Sequence, residues 1–420
     1  MRLPRVFAQS PATGALPLSV ALLLLGFTIP ISIALDNLLL GLVLLPGILF
    51  NGRTVWQIVT HNPVARAAWL LFGALLIGAC YGATPWRESF GYLAKYDGLA
   101  FVPLFMLLLS RENTRRWGQY VFLASMGLTL LLSYLVGLDV LPVQSWMNRG
   151  SSVDDPVVFL SHIAQNDIMA FATFLALLQL RQSTSLRGRA MWGIFAVLAL
   201  VDVLFLVKGR TGYLIMLVLL GWFIWTTLQR HLAQRGIACD WRHGIGVMLI
   251  LSGLVVSLFF ASPRLHERLS QVGADFQQWK LDNGKATSTG ERLDFYYNTL
   301  QIVRQQPWLG VGTGGYTAAF AKQTRGMQVV QESNPHNEYL MMAVQTGAVG
   351  LVLMLYLFYT EWRYAPLLET PFAQDAARGL VLAYLVNCTF NCALRDHADG
   401  LVFSYMTALL FANLKVKKLG

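Results

Sequence analysis

Charge is scarce in this chain. Of 420 residues only 13% are charged, against 55% hydrophobic, where soluble domains average about 25% charged. That excludes an ordinary soluble globular protein. Cysteine is scarcer still, four in all. Cys80, Cys388 and Cys392 fall in apolar runs and read as buried thiols, and Cys239 falls in a polar segment; the spacing makes neither a disulfide framework nor a zinc site. Other signatures are missing too. The polar segments assigned below to the outer side hold no Asp-x-Asp pair that would dock a divalent cation and no Gly-x-Ser-x-Gly nucleophile elbow. No internal repeat or low-complexity tract is evident.

What is present is a series of apolar runs of membrane length. A helix needs about 20 largely apolar residues to cross the hydrocarbon. The pattern predicts spans near 15–34, 37–51, 64–82, 97–110, 117–137, 160–180, 190–207, 212–229, 244–261, 338–360, 377–394 and 399–414. Arg2 and Arg5 ahead of the first run resemble a signal sequence, but a second run follows at once, which favours an uncleaved first span. The expectation is an all-α polytopic membrane protein of about 12 transmembrane helices, with both termini on one side.

The net charge of +10 invites a nucleic-acid partner, but cytoplasmic loops that fix topology also collect basic residues. With cytoplasmic termini, eighteen basic residues lie on the cytoplasmic side, Arg181, Arg230 and Arg378 among them. The short outer segments carry six: Arg87, Lys95, Arg149, Lys208, Arg210 and Arg395. This positive-inside bias orients the chain and removes nucleic acid as a partner for the basic face outside.

One hydrophilic stretch, 262–337, interrupts the runs between spans nine and ten, dividing the chain into spans over 1–261, an outer loop, and spans with a short tail over 338–420. Ser262 and Pro263 give an N-cap and a first-turn proline, after which Leu265, Leu269, Val272, Phe276 and Trp279 recur at helical spacing. A second helix is expected from Glu291, with Leu293, Tyr296, Tyr297, Leu300 and Val303 on one face. The loop is therefore expected to be folded and helical. Trp86, Phe90, Leu93 and Tyr96 share a face in an earlier outer segment, which fits a helix lying on the membrane surface.

Three kinds of residue in these outer segments suit chemistry. His336, in SNPHNEYL (Ser333–Leu340), follows Asn334 and Pro335, which read as an N-cap and first-turn proline. A helix start disfavours imidazolium, so a neutral ring there suits a general base; a plain helix-start residue is the competing reading. Glu338 either orients a neighbouring group or complements the helix dipole. Arg292, in GERLDFYYN (Gly290–Asn298), and Arg210, in VKGRTGY (Val207–Tyr213), offer planar donor sets that match phosphate oxygens, or else anchor the interface. Arg395, in LRDHADG (Leu394–Gly400), adds charge to the same mouth unless Asp396 and Asp399 neutralise it.

The glycines of PWLGVGTGGY (Pro307–Tyr316) lack the context of a dinucleotide fingerprint or P-loop. They fit a tight turn that brings Arg292 and His336 together, with direct amide contact to phosphate as the other use. His162, Gln165, Asn166 and Asp167 cluster near the outer end of the sixth span. His162 and Asn166 share a face there, to line a substrate cavity or to hydrogen-bond between helices.

In that order around one outer loop, VKGRTGY, GERLDFYYN, PWLGVGTGGY and PHNEYL resemble the O-antigen ligase and O-antigen polymerase superfamily of bacterial envelope glycosyltransferases. The resemblance runs from about Leu200 to Leu351. It implies an inner-membrane enzyme with a periplasmic active site that moves a polysaccharide from undecaprenyl diphosphate to the lipid A core, inverting, without metal or other cofactor. By motif, His336 resembles the family base, and Arg210 and Arg292 its diphosphate-binding arginines; Arg395, His162 and Tyr339 are taken as further substrate contacts. Polymerases and protein O-oligosaccharyltransferases share much of this pattern and differ in acceptor. A transporter of polyanionic lipids would use the same arginines in a fold of inverted repeats.

Overall fold

A computed structural model describes residues 15–82, 84–237, 240–261 and 288–414. The first loop helix, Leu265 to Trp279, lies outside the described residues, as do Cys239 and the basic residues of both termini. Apart from one isolated bridge between Ser152 and Asp155, the described residues are helices and their connections. The helices are α1 (Ala15–Thr28), α2 (Ile33–His61), α3 (Pro63–Tyr81), α4 (Trp86–Leu93), α5 (Asp97–Leu108), α6 (Glu112–Gly137), α7 (His162–Gln182), α8 (Leu186–Val201), α9 (Arg210–Gln234) and α10 (Trp241–Ala261). Further along the chain come α11 (Ser288–Gln305), α12 (Tyr316–Gln323), α13 (Glu338–Tyr364), α14 (Pro371–Phe390) and α15 (His397–Phe411).

Among the described residues, seven helical segments are long and apolar enough to cross a membrane, or eight if the bent α2 is one span. They include α3, α4 with α5, α6, α7, α8 with the π-helical turn that follows it, α9 and α13. The other predicted spans fall on α1, α10, α14 and α15, outside that set. α2 runs ten residues past its predicted end and bends by 66° between Val43 and Pro46, where the proline removes a helical hydrogen bond. Cys80 is exposed on α3 rather than buried.

The bundle is knit by α7 against α8, α9 and α14, and by α3 against α13. α5 lies between α2 and α15. At one end Asp375 of α14 accepts from both Arg181 of α7 and Arg230 of α9, and Arg115 pairs with Glu369 at 3.3 Å. Burying the Asp375 carboxylate is tolerable because two cations are at hand, whereas Glu369 stays exposed.

Three sequence expectations change. Tyr96 and Leu93 are buried whereas Trp86 and Phe90 are exposed. The stripe divides because α4 continues through a 3-10 turn, Ala94–Tyr96, straight into α5. On α11 the inward face is Phe295, Asn298, Thr299 and Ile302, while Tyr297 and Leu300 are exposed. Hydropathy chose the wrong stripe because two of the buried positions are polar.

The glycine-rich loop has a use different from the tight turn between Arg292 and His336. α13 breaks at Gly347, whose backbone (φ 65, ψ −157) is not helical, and the loop fills the notch. Val311 N donates to Val344 O at 2.8 Å, Gly312 N to Gln345 O at 3.0 Å and Ala348 N to Pro307 O at 2.8 Å. Thr313 reaches the other way, to α3, through its N–H to Gly78 O and its hydroxyl to Leu75 O. A Cβ on Gly310 would stand 2.2 Å from Val344 O, and one on Gly347 2.2 Å from Trp308 O. With these loop amides engaged by the protein, they are not offered to a phosphate.

Gly310→Ala and Gly347→Ala should each lower stability by about 1–3 kcal/mol or more, since both positions combine positive φ with backbone contact. Gly52, in α2 with nothing within 4 Å of an added Cβ, is the control: Gly52→Ala should leave the thermal unfolding midpoint in detergent unchanged or raised.

Candidate active site

His336 does not lie in the first turn of α13. The N-cap is Asn337, whose side chain accepts from Leu340 N, and His336 precedes it at φ 50, a left-handed conformation that histidine tolerates better than most side chains. Asn334 still matters, because its Oδ1 accepts from His336 N at 2.9 Å and forms a turn ahead of the helix. Asn, Pro, His and Asn in succession offer two capping frames, and the fold takes the later one.

Holding a non-glycine residue at positive φ costs on the order of 1–3 kcal/mol unless its surroundings impose it. Tyr296 of α11 donates to His336 O at 3.2 Å, and Asn337 donates to Thr389 O at the end of α14. The imidazole stacks on Phe295, centroids 6.0 Å apart and planes 27° apart. Among the described residues no hydrogen bond engages either ring nitrogen.

Arg292 stands one turn before Tyr296 on α11, which turns its guanidinium toward His336. Burial holds the imidazole below its ordinary value, the Arg292 charge acts in the same direction, Glu332 opposes, and Arg395 adds a smaller push downward. The ring is therefore neutral at neutral pH through desolvation and neighbouring cations rather than through a helix end. Arg292 in turn feels the charge of Arg210, after burial and Tyr296. Three segments far apart in the chain thus bring Arg210, Arg292 and His336 into one electrostatic neighbourhood.

Arg210 is exposed at the first position of α9, and its turn is fixed from two sides. Asn166 of α7 donates to Gly209 O at 2.6 Å and Val203 O at 3.2 Å. Gly209 and Gly212 leave no room for a Cβ beside that amide. Asn391 donates to Thr211 Oγ1 and to Asp167 Oδ2. Asn166 therefore bonds between helices, the second of its two expected uses. Gln165 accepts from Val158 N. His162 opens α7, exposed, with its carbonyl against Gly209. Tyr339 donates to Leu385 O at 2.9 Å, across the α13–α14 contact.

Arg395 is only 8% exposed and lines a cavity of about 570 Å³ together with His336, Lys95, His397, Asp97 and Asn391. The expected local neutralisation does not occur. Asp396 Oδ1 instead accepts from Ala398 N and Asp399 N as the cap of α15. Among the described residues no carboxylate lies within ion-pair distance of Arg210, Arg292 or Arg395.

Sequence reading missed what holds this turn. Glu338, fully buried, accepts from Tyr96 OH at 2.9 Å through one oxygen. Through the other it accepts from Leu394 N at 2.9 Å and Arg395 N at 3.3 Å. Gln345 donates to Tyr96 OH at 3.2 Å and accepts from Gly314 N at 3.0 Å. Of the two roles expected for Glu338, it plays the orienting one. In the sequence Tyr96 reads as part of an interfacial stripe and Gln345 as one polar residue inside a predicted span, and neither signals its partner.

Comparison with known proteins bears on the same region. Residues 194–355 match a family model described as O-antigen ligase. A stretch of 122 residues is 25% identical to an uncharacterized protein of Haemophilus influenzae, covering 28% of this chain and 31% of that protein.

Two outcomes follow from this geometry. Tyr96→Phe removes a donor to Glu338 and an acceptor for Gln345, leaving both buried, and should cost about 1–3 kcal/mol in thermal unfolding. If His336 is the titrating base, the acid limb of the kcat/KM profile should lie below about pH 6.5, the ordinary histidine value. Arg292→Gln removes a cation that depresses the imidazole, so the limb should move to higher pH.

Proposed function

Since the match over residues 194–355 supports membership of the O-antigen ligase/polymerase superfamily, we propose that this chain is a membrane glycosyltransferase moving O-antigen polysaccharide from undecaprenyl diphosphate to the lipid A core. The observation that carries it is the grouping of three arginines, without a carboxylate partner among the described residues, around an imidazole that none of those residues hydrogen-bonds. At the other end of the bundle Arg181 and Arg230 share Asp375; around His336 none of the three arginines has a carboxylate among the described residues. Cations gathered without anions suit a substrate that brings its own negative charge.

In this reading the donor diphosphate binds Arg210 and Arg292. The acceptor hydroxyl oxygen attacks the anomeric carbon from the face opposite the diphosphate, with inversion. As the new C–O bond forms, the hydroxyl proton passes to His336. The bond from the anomeric carbon to the diphosphate oxygen breaks, and the electron pair leaves on undecaprenyl diphosphate. Fixed guanidinium charges stabilise that leaving group where charge develops, the usual source of most electrostatic catalysis. The distribution of basic residues supports a site on the non-cytoplasmic side, which for these substrates is the periplasmic face of the inner membrane; Arg292 and His336 come from the loop between spans nine and ten, and Arg210 from the start of α9. The polymerase reading keeps every step and changes only the acceptor.

A transporter reading finds less support. The break in α13 would suit an ion site only with free carbonyls, and those of Val344 and Gln345 are taken by Val311 and Gly312.

The test is reconstitution of purified protein with undecaprenyl diphosphate-linked glycan and lipid A core, in excess chelator. Wild type should glycosylate lipid A core, and His336→Ala should lower turnover by about 10²-fold or more with its melting profile intact. Full turnover in His336→Ala would remove the base assignment. Glycan lengthening on the carrier would mean polymerase, loss of turnover to chelator alone would refute metal independence, and no covalent product would favour transport.

A further inference from the structure

We infer that Arg395 and Lys95 form a second anion subsite, distinct from the Arg210–Arg292 pair, that binds a phosphate or carboxylate group carried by the acceptor sugar. The inference rests on the glycosyltransferase reading for the word acceptor, but the anion site stands on its own observations.

The first is the burial of a lone charge. Arg395 is more than nine-tenths buried, and its Nε has no hydrogen-bond partner. Among the described residues its side chain has only the Cys392 thiol as a hydrogen-bonding neighbour, and no carboxylate pairs with it. A desolvated guanidinium without an ion-pair partner is unfavourable. Its backbone cannot relax away, because Glu338 accepts from the N–H groups of Leu394 and Arg395.

The second is the gathering of like charge. The Arg395 guanidinium lies 5.4 Å from the centroid of the Tyr92 ring, and the Lys95 ammonium lies 5.1 Å from the same centroid. Tyr92 is itself positioned by a hydroxyl contact with Thr317 at 3.1 Å. A ring face attracts each cation, yet two cations on one ring repel each other. An anion between them turns that repulsion into two charge-assisted hydrogen bonds. Asp97, Asp396 and Asp399 line the cavity as well, and none comes within ion-pair distance of either cation.

The third is place. Arg395, Lys95 and His336 line one cavity, which Arg210 and Arg292 do not. The imidazole therefore lies between two cationic groups, one on the cavity wall and one outside it. A single diphosphate is served by the outer pair. The inner pair faces the space from which a hydroxyl must approach His336, and about 570 Å³ is within the range of small-ligand pockets. The remaining lining, with Asn37, Ser161, Asn334 and Asn391, suits sugar hydroxyls.

The experiment is calorimetric titration of the full-length protein in lipid nanodiscs with glucose, glucose 6-phosphate and glucuronate, for wild type, Arg395→Gln, Lys95→Gln and Arg292→Gln. Wild type should bind one of the charged sugars about tenfold or more tightly than glucose, and which one identifies the anion. Arg395→Gln and Lys95→Gln should each shrink that preference, whereas Arg292→Gln should keep it. Lys95 is exposed, so its variant reports even if Arg395→Gln folds poorly. Equal binding of all three sugars by wild type, no binding of any, or a preference lost to Arg292→Gln as fully as to Arg395→Gln would overturn the subsite. Absence of glycan transfer by wild type would overturn the glycosyltransferase reading, while the titration still decides the anion site.

Discussion

Glu338 is the joint on which the His336 end of this molecule turns. Its carboxylate has no solvent, and each oxygen is used: one by Tyr96 at the head of α5, the other by the two amides of the turn that carries Arg395. Through Tyr96 the chain of hydrogen bonds passes to Gln345 and on to Gly314, so one buried group sets the relative position of α5, α13, the glycine loop and the last turn. Such a network gains from low dielectric only when every member is satisfied. That condition explains why the first residue of a helix, where a carboxylate could simply have faced solvent, is drawn fully inside.

The two ends of the bundle handle positive charge in opposite ways. Around Asp375 two arginines converge on one carboxylate, and the result is a clamp between α7, α9 and α14. Around His336 the turns and helix faces that carry the arginines are fixed, and among the described residues no carboxylate pairs with their heads. Asn166 and Asn391 fix the turn of Arg210, Tyr296 fixes the face of α11 that carries Arg292, and Glu338 fixes the turn of Arg395. Cations held in place before the substrate arrives are what charge stabilisation in a reaction calls for.

Much of this was legible in the residues. Each predicted span falls on a helix because hydropathy over a membrane-length window is a strong signal, and the loop motifs stood out by being polar against that background. His336, Arg292 and Arg210 stand out in the sequence because their chemistry is conspicuous, and the fold brings them into one electrostatic neighbourhood. Their supports were not, for definite reasons. Tyr96 and Glu338 are 242 residues apart, a contact that no local pattern encodes. The buried face of α11 includes Asn298 and Thr299, which a search for apolar stripes rejects. The frame of the α13 cap was ambiguous between Asn334 and Asn337, and tertiary bonds to Tyr296 and Thr389 decided it. The glycines of the loop announced close approach but not its object.

That object, the notch at Gly347, makes the outer loop and the membrane helix one mechanical piece. Residues 307–315 supply the backbone partners that α13 forfeits at its break, and Thr313 ties the same loop to α3. The loop is thus not a module that related proteins can trade freely. A hybrid joining the outer loop of one relative to the helices of another would have to inherit both sides of this splice, loop and notch together, or lose the register that brings Arg292 to His336. Diversification of specificity in such an architecture is confined to surfaces that do not touch the splice.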